Sequence, residues 1–356
     1  MDPVDQPSPT KERVVFIDYL RGYAILMMLQ GHTVDILLQD AYRDNAYWLY
    51  AFWNHMRGLT APLFFFSAGL IFTFLLLKGE EAEDGLNPRL AKGLRRGLWL
   101  LVLGFLIQTS FAGLGRLAQG QLSGFAFLSY THVLHTIGMT LLLIVGLFFL
   151  VRRAPFWTIP TLFGSAGFLF FALSEVIGAW RSDSFPWVLV SLFTNEEQAI
   201  FELFPWVGFG LFGAAFGWLL WKTAWYRSLR FHFALIVLSL VLAPFHNFFP
   251  GGEGFAWFRF FESFLVIGTV GVLSQVEWLP GFLARCGQET LGIYVLHVIL
   301  LYGGVTGFGL AQTGLRRALE PAPTAGLALL VVLLFVLLAV SLPALRSRFP
   351  LLKWLR

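Results

Sequence analysis

The sequence predicts an all-α polytopic membrane protein with about ten transmembrane helices and both termini in the cytoplasm. Three observations carry that prediction. Of 356 residues, 57% are hydrophobic, 36 more are glycine and only 13% are charged, where soluble domains carry about 25% charged residues. So few charges cannot cover a soluble protein of this size, which disfavours a soluble enzyme, a disordered chain and a nucleic-acid binder. Apolar runs also recur at close to the length, about 20 residues, that crosses about 30 Å of hydrocarbon as a helix. Finally, with the N-terminus inside, seventeen Lys and Arg residues fall on the inner side and seven on the outer side, as the positive-inside rule requires.

Residues 1–13 are polar, contain three prolines and read as a mobile tail. The first apolar run, 14–38, is too long for a signal-peptide core and has no small-residue cleavage site after it, so it reads as a retained span. Nine further runs follow at 57–77, 93–112, 132–151, 156–176, 201–221, 230–248, 257–276, 288–307 and 324–345. The segment from Ser184 to Phe193 is too short to cross, and Trp187 suits it to the interface. A basic tail, 346–356, closes the chain. No repeat or low-complexity run divides residues 14–345, which form one expected domain. The single cysteine, Cys286, excludes an intrachain disulfide.

Ionisable groups at membrane depth cost about 2.5–3.5 kcal/mol each on insertion scales, so each requires a reason. The first span carries Asp18, Arg21, His32 and Asp35. At about 100° per residue these share one stripe about 100° wide, from which Gln30 is excluded. Such a stripe faces other helices or a water-filled cavity. Arg21 lies towards the cytoplasm and His32 about 16 Å further along the axis. Asp35, one turn beyond His32, is expected to accept a hydrogen bond from the imidazole and fix its tautomer, which suits a general base. A purely structural polar seam is the alternative. His55 precedes the second span and Arg57 opens it, Arg259 and Glu262 have ion-pair spacing, and Tyr294 and His297 lie in the ninth span. His132 and His135 have the spacing of two metal ligands, but no cysteine or further motif accompanies them and no metal is expected. Arg89, Lys92, Arg95 and Arg96 cluster after the second span, where they suit the phosphates of coenzyme A or simply follow the positive-inside rule.

The stretch Phe16-Ile-Asp18-Tyr-Leu-Arg21-Gly22 followed by Gly31-His32 resembles the first span of the transmembrane acyltransferase superfamily. Four further stretches are similar to its heparan-α-glucosaminide N-acetyltransferase branch. They are Ala61-Pro-Leu-Phe-Phe-Phe-Ser-Ala-Gly69, Val133-Leu-His-Thr-Ile-Gly138, Phe204-Pro-Trp-Val-Gly208 and Glu289-Thr-Leu-Gly-Ile-Tyr-Val-Leu-His297. The resemblance implies an enzyme that takes an acyl group, usually acetyl, from cytoplasmic acyl-CoA to a hydroxyl or amine of a glycan or glycolipid across the membrane. It maps the superfamily's catalytic histidine to His32, and its motif arginine to Arg21 beside Asp18. The heparan-type enzymes place their essential histidine after the first span, where this chain has only His55. The expected base is therefore His32 with Asp35, and the alternatives are His55 and Glu262. A transporter or flippase for a lipid-linked sugar is the competing class. The short loops suggest a bacterial cytoplasmic membrane.

Overall fold

The computed structural model describes residues 14–80, 87–121, 131–180, 187–194, 201–249 and 251–349. Among these residues the regular structure is helical, apart from one isolated parallel bridge between Leu38 and Leu319. The polar N-terminal tail, residues 184–186 of the expected interfacial segment and the last seven residues lie outside the described residues.

Fifteen α-helices follow in order. They are α1 (Val15–Leu37), α2 (Trp48–Arg57), α3 (Thr60–Glu80), α4 (Pro88–Gln108), α5 (Phe111–Ala118), α6 (Val133–Val151), α7 (Thr158–Ala172) and α8 (Ser174–Gly178). Then come α9 (Trp187–Phe193), α10 (Leu203–Thr223), α11 (Leu229–Leu242), α12 (Gly251–Gln275), α13 (Gly281–Gln288), α14 (Thr290–Tyr302) and α15 (Pro321–Arg348). Each expected span coincides with a helix. Among the described residues, six helical stretches are long and apolar enough to cross a membrane, counting α2 and α3 together, and eight qualify if each of two bent pairs is one span. The helix α1 is 23 residues long and carries the polar stripe, whereas α7 has only 15 residues. The last helix runs past the expected end of its span and takes Arg346 out of the basic tail into a buried position.

Local chemistry sets the helix ends. Asn87 accepts the Arg89 amide at 2.8 Å and Pro88 occupies the first helical position, which starts α4. The α4–α5 pair bends by 86°, and Ser110 caps α5 by accepting the Gly113 amide. The α13–α14 pair bends by 78° at Glu289, and α14 stops at Gly303, whose φ of +84° disfavours any side chain. Beyond α1 the backbone turns extended, and Leu37 and Gln39 exchange hydrogen bonds with Leu319.

Close backbone approach holds the bundle together. A Cβ at Gly22 would sit 2.0 Å from the Leu283 carbonyl oxygen, and one at Gly287 only 1.7 Å from that of Asp18, so α1 and α13 touch backbone to backbone. On α10, Gly213 and Gly217 receive the carbonyls of Phe66 and Leu70 from α3 in the same way. Association through small residues is expected where lipid offers no hydrophobic drive between helices. The end of the bundle where α1 begins is called proximal below, and the end where it finishes distal.

Two glycine substitutions separate this packing from mere composition. Gly287→Leu should lower stability by at least the about 1–3 kcal/mol of an overpacked core, because the obstacle is backbone. Gly326→Leu, with open space around its Cβ position, should be close to neutral. Thermal unfolding of purified protein in detergent measures both, and equal effects would contradict the α1–α13 contact.

Candidate active site

Four polar clusters occupy the bundle, two of them reached from α2. His55 and Arg57, two residues apart on a ten-residue helix, reach different neighbours. His55 Nε2 lies 2.5 Å from Glu262 Oε1 on α12. The other carboxylate oxygen of Glu262 accepts from Arg259 Nη1 at 3.0 Å, and the same nitrogen donates to the His55 carbonyl at 3.0 Å. Gly58 makes the room, since a Cβ there would stand 2.6 Å from the Arg259 guanidinium. The Glu262 and Arg259 side chains are 14% and 10% exposed, while that of His55 is 40% exposed. A buried carboxylate held by an arginine therefore orients an accessible imidazole. A carboxylate oxygen accepts, so Nε2 is the donor in this bond and Nδ1 is the ring nitrogen left outside it. The expected Arg259–Glu262 pair forms, and its third member comes from 207 residues away.

Arg57 bonds to Asp35 of α1, which also receives Arg43 at 3.6 Å. Its aliphatic stem lies against Gly31 and its guanidinium stands over Trp53 at 5.2 Å. Trp53 in turn donates to Gln30 at 2.6 Å, which explains why Gln30 leaves the stripe. This arrangement corrects the expected role of Asp35. Its carboxylate is taken by two guanidiniums rather than by His32, because one further turn of helix aims it at α2, and charged donors outcompete an imidazole.

His32 instead pairs with Tyr302 of α14, its Nδ1 lying 2.8 Å from the phenol oxygen. Its ring stacks on His297 at 5.5 Å, His297 meets Tyr294 at 4.9 Å, and the Tyr294 hydroxyl reaches His132 Nδ1 at 2.6 Å. The His132 amide then donates to His135 Nδ1 at 3.0 Å, opening α6. That bond engages a ring nitrogen of the proposed ligand pair in helix capping. Among the described residues, no group of three or more His, Cys, Asp or Glu is placed to hold a metal. The sequence marked every member of this seam except Tyr302, which reads as an ordinary interfacial tyrosine at a span end.

The fourth cluster braces the α13–α14 bend. Gln288 donates to Asp18 at 3.4 Å, Arg346 of α15 donates to Glu289 at 2.6 Å, and Arg21 donates to the Thr290 hydroxyl. Three successive residues thus tie the bend to α1 and α15. The cations that follow the second span lie along α4. Arg89 packs against the end of α3, and Lys92, Arg95 and Arg96 are exposed along the first turns of α4.

Residues 13–243 match the catalytic-domain family of heparan-α-glucosaminide N-acetyltransferase. The chain belongs to that family. A comparison with curated protein sequences gives no match. Membership makes this chain an acetyltransferase with multiple membrane-length apolar helices. His32, Asp35, His55 and Arg57 lie inside the matched region, whereas Arg259, Glu262, Tyr294, His297 and Tyr302 lie beyond it. The His55 cluster and the histidine–tyrosine seam are therefore completed by helices outside the match, whereas the Asp35 cluster lies wholly within it.

The Glu289–Arg346 pair tests how the bend is held. Removing one member of a buried pair typically costs about 3–5 kcal/mol, because the other charge is stranded. Arg346→Ala should therefore unfold well below wild type in a thermal scan, and Glu289→Gln with Arg346→Gln should recover much of the loss. A double variant no more stable than the single would show the two charges to be uncoupled.

Proposed function

We propose that the protein moves an acyl group, acetyl in the first instance, from acyl-CoA to an amine or hydroxyl of a glycan or glycolipid. The donor is taken from the proximal face and the acceptor from the distal face. The observation that carries the chemistry is the His55–Glu262–Arg259 cluster, which unites an accessible imidazole, an orienting carboxylate and an arginine bonded to that carboxylate. His32 has a phenol partner and no carboxylate, so the base is assigned to His55 and His32 to the polar seam. Nδ1 of His55 takes the acceptor proton as the acceptor attacks the thioester carbonyl. The carbon–sulfur bond breaks, the acyl group remains on the acceptor, and coenzyme A departs as the thiolate to be protonated. Arg21 and Asp18 mark the proximal approach of the donor, with the α4 cations available to its phosphates.

The family supports acetyl transfer, and the excess of Lys and Arg supports ten crossings with the proximal face in the cytoplasm. A bacterial cytoplasmic membrane is the setting this reading favours. One observation favours a carrier for a lipid-linked sugar instead, namely the two bent helix pairs, since transporters build midplane sites from broken helices. Purified protein with labelled acetyl-CoA separates the two, because only the enzyme passes label to a glucosaminide.

Loss of a general base typically costs about 10²–10⁴ in rate. His55→Ala should lose that much acetyl transfer while keeping acetyl-CoA affinity within a few-fold, and Glu262→Gln should lose less because the base remains. Inactive His32→Ala beside active His55→Ala would return the base to His32. Sidedness is read separately, with single cysteines at Asp44, Arg317 and Lys78 in a Cys286→Ser background. An impermeant thiol reagent added outside intact cells should label the first two and spare the third, and the reverse pattern would invert the orientation.

A further inference from the structure

We infer that the acceptor is a sugar carried on a lipid anchor, and that it reaches His55 sideways from the bilayer between α2 and α12. The inference rests on the acyl-transfer reading and adds the class of acceptor. On α2, Trp48 and Phe52 lie within about 60° of His55 around the helix axis, towards the N-terminus. On α12, Phe255 and Phe258 lie within about 40° of Glu262, again towards the N-terminus. Two aromatic stripes thus run outwards from the two members of the dyad. Trp48 is 77% exposed, Phe52 60% and Phe255 51%.

One ring meets the dyad and another meets its arginine. Phe258 stands edge-on to His55 at 5.9 Å, and the Arg259 guanidinium lies over Phe255 at 5.3 Å. Phe258 also meets His246 at 4.6 Å, in the short 3-10 turn that prolongs α11. That helix lies at the edge of the bundle, with only 17% of its apolar window buried. Two ring contacts therefore separate the base from a lipid-facing helix, whose end also carries exposed Phe248. A water-borne glycan would be met by polar side chains along such an approach. Apolar rings leading to a polar dyad fit a molecule with a hydrocarbon tail and a sugar head, because tryptophan and phenylalanine faces cover both acyl chain and the apolar faces of a pyranose.

The test uses the full chain in lipid nanodiscs, labelled acetyl-CoA, and ethyl and dodecyl β-glucosaminides as acceptors. The quantity read is the ratio of kcat/KM for dodecyl over ethyl, compared between wild type and Trp48→Ser/Phe52→Ser. Partition of the acceptor into lipid is the same for both proteins, so any difference is contributed by the stripe. Each methylene buried against protein contributes about fourfold in affinity, and the double variant should lower the ratio at least tenfold. Phe248→Ser, on a separate element, should lower it in the same direction, which guards against a local folding defect at α2. An unchanged ratio in both variants would overturn the inference, leaving the rings as membrane anchors and the acceptor as a glycan from water. Wild-type protein that binds acetyl-CoA and acetylates neither glucosaminide would overturn the acyl-transfer reading itself.

Discussion

An ionised side chain among apolar helices must be met by a partner, and that requirement organises this bundle. Desolvating a carboxylate or guanidinium costs several kcal/mol, which is recovered only with a counter-charge and further hydrogen bonds in place. Glu262 therefore needs Arg259 and His55, which fixes α2 against α12. Asp35 needs Arg57, which fixes the same helix against α1. A helix of ten residues is thereby held on both sides by side chains two positions apart, and the His55 imidazole is set beside the α12 contact. The accuracy of the site follows from the cost of leaving any member unpaired.

The same requirement operates at the other end of the bundle. The bend between α13 and α14 turns the chain by 78° at Glu289, where the ninth expected span begins. Side chains of Gln288, Glu289 and Thr290 each bind a different polar group there, and Gly22 and Gly287 let α1 approach to backbone contact. The bend is thus braced by α1 and α15 together. Because α14 carries Tyr294, His297 and Tyr302, this bracing also sets the height of the histidine–tyrosine seam beside α1. Proximal packing and distal chemistry are linked through one short helix.

Much of this was legible in the sequence. Apolar run lengths placed a helix at every expected span, and the 100° periodicity placed Asp18, Arg21, His32 and Asp35 on one protein-facing stripe. Periodicity states which face a side chain occupies and not which neighbour it meets, so it pairs Asp35 with the nearest imidazole instead of with Arg57 of α2 and Arg43 of the connection before it. Glu262 and His55 were each singled out as alternatives, but 207 residues of chain hid their contact. One clue was present in Gly58, whose missing side chain admits Arg259, although a glycine after an arginine is too common to single out. Tyr302 carried no signal at all. The family match ends at residue 243, so it covers His55 and not Glu262.

The central claim is that acyl transfer takes place at the His55–Glu262 dyad, with the donor threaded from the proximal face. A structure of the protein with a non-hydrolysable acetyl-CoA analogue tests this most directly. The account predicts the carbonyl carbon of the acyl group within reach of an acceptor atom bound at His55 Nδ1, about 3–3.5 Å from that atom, with the nucleotide at the proximal end near Arg21. An acyl group lodged instead against His32 and Tyr302, with His55 remote from it, would contradict the account.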